Sequence, residues 1–412
     1  MHILFLTDNF PPEVNAPASR TYEHAREWVA AGHQVTVITC APNFPKGRVF
    51  DGYRNRLWQS EEMAGIRVIR VWSYITANEG FARRIADYVS YMFSAVLAAL
   101  FVRRVDLIVA TSPQFFTAVA GWMVSVLKWK PWVFELRDLW PESIRAVGAM
   151  RDSVLLDRVE DLELFLYHRS TAVVVVTEAF RNNLIGRGIP AEKIHVITNG
   201  ADLARYKPQP KDAGLLADLA LQDKFVLGYI GTMGMAHGLD TVLDAAKILA
   251  ATAGMIDVRI VMLGDGAQKP ALRARAAAEG ISNVIFCDSV SKEEVTRYWS
   301  LLDISLIHLK RNDLFQTVIP SKLFECMAMG LPVLFGVEGE AAEIVQRHGV
   351  GLLIEPENAQ AMTDAVVRLH QDTALRGRIA VAGPIAARHF DRQALARQML
   401  DILQGLRGVN RR

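Results

Sequence analysis

Apolar and polar positions along this chain fall into two alternating rhythms. Short runs dense in Val, Ile and aromatic residues read as strands buried on both faces, at Ile3–Thr7, Gln34–Thr39, Ile66–Trp72, Leu107–Thr111, Trp132–Glu135, Ala172–Val176 and Ile194–Thr198. Longer stretches between them carry a helical period. TYEHAREWVAAG, for example, sets Tyr22, Ala25, Trp28 and Val29 on one face and stops at Gly32. Strands alternating with helices predict a mostly parallel α/β sheet with helices on both faces. After NGADLARYKP the pattern gives way to PQPKDAGLLADLALQDK, a polar stretch holding Pro208 and Pro210, and a second series opens at FVLGYIG. Its strands are Phe225–Ile230, Val258–Leu263, Val284–Phe286, Ile304–Ile307, Val333–Phe335 and Gly351–Ile354, with helices such as Leu239–Ala251 and Lys322–Met329 between them. The expectation is two Rossmann-like, open parallel-sheet domains, 1–205 and 223–385, joined by a linker at 206–222 and followed by a C-terminal helical segment, 386–412. Open sheets of this kind bind ligands beyond the carboxyl ends of their strands, so two such domains facing each other would enclose a ligand cleft.

One segment stands apart. VSYMFSAVLAALFV, Val89–Val102, is uncharged yet shorter than the ~20 residues a spanning helix needs. Arg83 and Arg84 precede it and Arg103 and Arg104 follow, so the 83–104 region fits either a buried core or interdomain helix or a helix lying on an anionic leaflet. The opening MHILFLTDNFPPE reads as a strand, because it lacks the basic start and longer apolar run of a signal peptide.

Composition narrows the function classes. Apolar residues make up 51% and charged residues 22%, as in a packed enzyme and unlike a disordered interaction protein. The 46 basic and 44 acidic side chains leave a net charge of +2, too little for a field that gathers nucleic acid, so anion recognition has to be local. Cys40, Cys287 and Cys326 lack metal-ligand spacing, which argues against structural zinc or a disulfide framework and for a reducing cytoplasm.

Local anion sites are what the loops offer. In TVIPSKLFECMAMGLPVLFG, Ser321 is placed to cap a helix whose first amides are unpaired, a ready phosphate site. Lys322 on the same rim supplies a phosphate contact, and Glu325 one turn in suits the vicinal hydroxyls of a ribose. GYIGTMGMAHGLD crowds Gly231, Gly234 and Gly238 around Thr232, Met235 and His237, allowing amides to approach phosphate closely. VMLGDGA sets Gly264, Asp265 and Gly266 where a flat base has room. These glycines do not match the dinucleotide fingerprint, since the loop after the first strand is DNFPPEVNAPASR. That loop carries Asp8, Asn9, Glu13, Asn15, Ser19 and Arg20, the equipment of a sugar or phosphate site. FELRDLWPES brings Arg137 and Asp138 to a strand end, ahead of Trp140. Arg137 offers a planar donor fork for phosphate, Asp138 a carboxylate to receive or orient an acceptor proton, and Trp140 a face on which a sugar can stack. A solvated loop carboxylate or a buried Arg–Asp pair explains some of the same residues.

Taken with TDNFPPEVNAPASRTYEHA, FELRDLWPES, GDG and PSKLFECMAMGLPV, the whole chain resembles the retaining GT-B glycosyltransferases of family 4. Within them it is most similar to bacterial O-antigen, capsule and colanic-acid transferases, including the N-acetyl-L-fucosamine transferase branch. The resemblance implies transfer from a nucleoside-diphosphate sugar, UDP-linked by analogy, with retained configuration and no required metal. It also implies a donor-binding C-terminal domain, an acceptor-binding N-terminal domain, a last helix that returns to the first domain, and an acceptor glycan on polyprenyl diphosphate, which would give 83–104 a membrane to touch. Of the family's glutamate pair the second falls on Glu325, expected on the ribose, while the first falls on Thr317, where a donor-sugar contact is expected. The family's diphosphate-binding Arg and Lys correspond to Thr232 and His237, with Lys322, Arg20 or Arg137 available to compensate. The alternatives left open are a nucleotide-sugar epimerase and a non-catalytic nucleotide-sugar or lipid-glycan binding protein.

Overall fold

The computed structural model describes residues 1–44, 47–76, 81–139 and 154–407. Its chain divides into two compact units, Met1–Thr198 with Arg392 onward, and Asn199–Asp391.

The first unit is built on a sheet of β1 (His2–Leu6), β2 (Gln34–Cys40), β3 (Trp58–Met63), β4 (Ile66–Val71), β5 (Leu107–Thr111), β6 (Trp132–Leu136), β7 (Ala172–Val175) and β8 (Ile194–Val196). The order is β3-β4-β2-β1-β5-β6-β7-β8, parallel throughout except at the β3 edge. β3 is absent from the sequence reading for a physical reason: WQSEEM is polar and half exposed, the composition of an edge strand. The strand faces feed separate cores. Leu4 and Leu6 point into one, while Ile3 and Phe5 point into the other. The second core is closed by the helix Arg392–Gly405, whose Leu395, Met399 and Leu403 pack with Trp28 of the helix Ala16–Ala30, and Trp28 Nε1 donates to the Ala396 carbonyl at 2.8 Å.

The helix Phe81–Phe101 is longer than the uncharged stretch that marks it in the sequence, and long and apolar enough by length and composition to cross a membrane. One face belongs to the unit's core. Tyr91, Ala95 and Ala99 are fully buried, and the Tyr91 hydroxyl donates to the carbonyls of Thr7 and Ile38. The opposite face exposes Phe93, Leu97, Leu100 and Phe101. Trp58 meets Phe101 edge-on, and the helix packs along Phe115–Lys128, at whose end Leu127 and Trp129 are also exposed.

The second unit holds β9 (Phe225–Ile230), β10 (Val258–Leu263), β11 (Val284–Cys287), β12 (Ile304–His308), β13 (Val333–Gly336) and β14 (Gly351–Leu353), all parallel, in the order β11-β10-β9-β12-β13-β14. Val226 and Ile230 serve one core and Leu227 and Tyr229 the other. Each sheet has a point where successive connections turn in opposite directions, between β1 and β5 in the first and between β9 and β12 in the second. These are the crevices where open α/β sheets place ligands.

Candidate functional site

In the second unit the loops after β9 and β10 lie backbone to backbone. A Cβ on Gly264, whose φ is +146°, would stand 1.9 Å from the Gly231 carbonyl oxygen, so only glycine permits the approach. The same contact corrects the expected phosphate cradle. The Gly231 amide donates to Leu263 at 2.9 Å and the Met233 amide to Asp265 at 2.8 Å, so both are spent inside the protein. Among the described residues, the amides of Thr232, Gly234 and Met235 donate to no acceptor. Gly266 packs against Met233 in the same way, and Asp265 is exposed, its Oδ1 accepting from the Gly266 amide.

The helix Lys322–Met329 supplies further groups that are without partners among the described residues. Ser321 occupies its N-cap position with helical backbone angles and makes no side-chain cap, contrary to the expected capping role, so hydroxyl and amide are both available. Lys322 Cε lies 2.8 Å from where a Gly231 Cβ would be, which stretches the side chain across the glycine loop. Glu325 is half-buried, and among the described residues its carboxylate has no hydrogen-bond or ion-pair partner. A cation, a hydroxyl, free amides and a carboxylate thus sit on one helix start, with the macrodipole favouring an anion there.

His237, which the resemblance sets where the family carries a cation, brings no positive charge at physiological pH. Burial, aided by the positive Lys322, holds its imidazole down to about 4, neutral at physiological pH. Two residues the sequence reading missed hold these loops. His308 at the end of β12 accepts from the Glu357 amide through Nε2 at 2.9 Å, leaving Nδ1–H to donate to the His237 carbonyl at 2.7 Å. Lys269, 5% exposed, donates to the carbonyls of Gly264 and Cys287 and to Asp288. A lysine just inside a helix looks solvated in sequence; only the fold brings those carbonyls to it. Thr317 closes a turn of Asp313–Thr317, its hydroxyl donating to the Leu314 carbonyl at 2.7 Å.

In the first unit Ser112 orders the end of β6, its Oγ accepting from the amides of Arg137 at 2.7 Å and Asp138 at 3.3 Å. Behind them Glu135 is fully buried. Burial alone would raise its carboxyl, but Arg20 and Arg137 overcome that and hold it at about 2. The Arg137 Nε and Nη1 have no partner among the described residues, and burial brings its guanidinium to about 10, still charged at neutral pH. Arg20, expected on a sugar or phosphate, is 4% exposed and spends its donors on Glu135 and the carbonyls of Ile197 and Thr198. Ser19 is likewise buried, bonding the Asn15 carbonyl, and Asn15 caps the helix Ala16–Ala30 through the Ala18 amide while donating to Asn9. Trp140 lies outside the described residues.

Comparison with known proteins places this pair of units. A Glycosyl transferase 4-like domain matches residues 15–200 and a Glycosyl transferases group 1 domain matches 224–372. The chain belongs to the family 4 glycosyltransferases. WcaI of Escherichia coli (strain K12), assigned to colanic acid biosynthesis as a glycosyl transferase, is 26% identical over 98% of this chain and 100% of its own length. Among solved structures, Anabaena Alr3699/HepE in complex with UDP and glucose matches with a TM-score of 0.72 at 20% identity, covering 98% of this chain and 100% of its own. WaaG, a glycosyltransferase of lipopolysaccharide biosynthesis, matches at 0.69 and 17%, over 98% of this chain and 100% of its own. The fold is therefore that of the GT-B enzymes. Glu325 has no partner among the described residues, Thr317 stands where the resemblance leads one to expect a second glutamate, His237 is neutral where it leads one to expect a cation, and Lys322 brings a positive charge to the same helix start as Glu325.

Proposed function

We propose that the chain transfers a sugar, with retention, from a UDP-linked donor bound by the second unit to a polyprenyl-diphosphate-linked glycan in bacterial surface polysaccharide synthesis. The observation that carries the reading is the start of the helix Lys322–Met329, where Ser321, Lys322 and Glu325 have no side-chain partners among the described residues. The diphosphate takes the amides of Ser321 and Lys322, the Ser321 hydroxyl and the Lys322 ammonium, and the ribose takes Glu325. Negative charge grows on the bridging oxygen as the glycosidic bond breaks, so these preorganised donors lower the barrier. The acceptor oxygen attacks from the departing side and the leaving phosphate accepts its proton, which requires no carboxylate nucleophile of the kind a retaining hydrolase uses. Asp138 orients the acceptor and Arg137 adds positive charge. HepE's complexes with UDP and glucose and WcaI's assignment support the donor class and the setting.

The exposed face Phe93, Leu97, Leu100 and Phe101 suits contact with the inner leaflet of the cytoplasmic membrane, where a polyprenyl carrier would be met. The exposed Arg103 and Arg104 at its end add attraction to anionic headgroups. The test is a panel of nucleotide sugars offered to the protein with membrane extract holding polyprenyl-linked intermediates, read by mass spectrometry of the lipid product. UDP-linked N-acetylated deoxysugars such as UDP-N-acetyl-L-fucosamine come first, with UDP-glucose and UDP-GlcNAc as controls. A lipid gaining one sugar mass supports the reading. Binding of UDP with no lipid product across the panel counts against it.

A further inference from the structure

The crevice between β1 and β5 holds a second feature that the donor reading leaves unused. A cavity of about 230 Å³ opens there, lined after β1 by Asp8, Asn9 and Asn15, after β2 by Asn43 and Phe44, and after β5 by Gln114. Arg84, Asp87 and Tyr88 of the helix Phe81–Phe101 complete it. The volume lies below the roughly 300–1,000 Å³ of pockets for drug-sized ligands, which suits a single sugar ring. The walls mix carboxylates and amides that can meet hydroxyls with apolar surface, where Phe44 exposes an aromatic face against which the C–H side of a ring can rest. They are also held in place. Glu13 accepts from the amides of Asn43 at 2.8 Å and Phe44 at 2.9 Å, Asn15 is fixed by the helix it caps, and Gln114 is fixed by Thr117 and the Tyr88 carbonyl.

Charge is unevenly distributed around the cavity. Asp8 and Asp87 both face it, Glu13 stands behind, and Arg84 is the one cation in the described lining. Burial, with Asp87 and Glu13 adding to it, pushes the Asp8 carboxyl up to about 8, and burial pushes Asp87 up to about 6. The other titratable neighbours of Asp8 are Cys40, whose Sγ lies 3.6 Å from it, and the phenols of Tyr88 and Tyr91, all neutral at physiological pH. A carboxyl that keeps its proton can donate to a ring or hydroxyl oxygen, and a further negative charge among these groups has too little to pair with.

We propose that this cavity is a subsite for one pyranose ring of the acceptor, held through hydroxyls by Asp8, Asp87 and the surrounding amides, and closed to acidic sugars. The inference rests on the acceptor role given to the first unit above and adds the chemistry of the sugar it takes. Saturation-transfer NMR on the full chain tests it, with methyl glycosides of glucose, galactose and mannose against the corresponding uronic acids, and UDP titrated into the same sample. A neutral glycoside should bind, and its uronate should bind at least about tenfold more weakly. Asp87→Asn should narrow that gap, and Asp8→Asn should weaken the neutral glycoside while leaving UDP affinity unchanged. Thermal unfolding of both variants establishes that they are folded. A uronate that binds as well as its neutral partner, a gap unmoved by Asp87→Asn, or UDP binding with no neutral glycoside bound overturns the inference and leaves the donor reading standing. Glycoside binding without UDP binding would remove the donor reading instead.

Discussion

Replacing Glu325 with Gln keeps the size and helical preference of the side chain and removes its charge. Among the described residues nothing bonds the carboxylate, so the stability cost expected is that of its interaction with the helix start, about 0.3–1 kcal/mol. In a unit of this size that is a fall of up to about 4 °C in Tm. Its cost to nucleotide binding is larger. A hydrogen bond to a charged acceptor contributes about 1.5–3 kcal/mol against about 0.5–1.5 for a neutral one. Two ribose hydroxyls on one carboxylate therefore put the loss near about 2–3 kcal/mol, or roughly 30- to 150-fold in Kd. Calorimetric titration with UDP measures it. Repeating the titration with 2′-deoxy-UDP closes a double-mutant cycle: if Glu325 holds the ribose, removing a hydroxyl costs the wild type affinity and costs Glu325→Gln much less. Unchanged UDP affinity in the variant, or losses that simply add, would refute the assignment.

Three further outcomes are expected. His237 is neutral at physiological pH, so the pH profile of UDP affinity for His237→Gln should superimpose in shape on that of the wild type between about pH 5.5 and 8, with a step peculiar to the wild type counting against this. Asp8 holds a proton in the folded state up to about 8 and releases it near its ordinary value when unfolded, so wild-type stability should fall as pH rises between those values. Asp8→Asn removes that titration, and its Tm relative to wild type should climb between about pH 5 and pH 8; a constant difference would show that Asp8 ionises normally. Leu97→Asp and Phe101→Asp, both at exposed positions, should leave Tm within a few degrees and reduce flotation with anionic vesicles, and undiminished flotation would place membrane contact elsewhere.

The strands of the second sheet were legible almost to the residue because the central ones are buried on both faces and read as dense apolar runs, as in FVLGYI. β3 was hidden because an edge strand with one partner and polar composition has no such run. Lys322 and Glu325 were readable as neighbours at a helix start because that is a local feature. What was not readable depended on which loops meet. Gly264 was visible as a glycine, but that it presses on Gly231, and that the Gly231 and Met233 amides are consumed in the process, is set by the pairing of β9 with β10. Arg20 shows the same limit. An arginine in a polar loop promises a ligand contact, and only the packing of β6 beside the helix Ala16–Ala30 turns it toward Glu135. Asp87 and Tyr88 lay within a helix marked by its apolar run, and nothing near them in sequence tied them to Asp8.

The measurement that bears most directly on the donor site is a crystal structure of the chain with UDP. The two phosphates should hydrogen-bond the Ser321 and Lys322 amides, with Lys322 Nζ on a phosphate oxygen and Glu325 on the ribose. Phosphates bound elsewhere on the second unit, with those amides facing water, would contradict it.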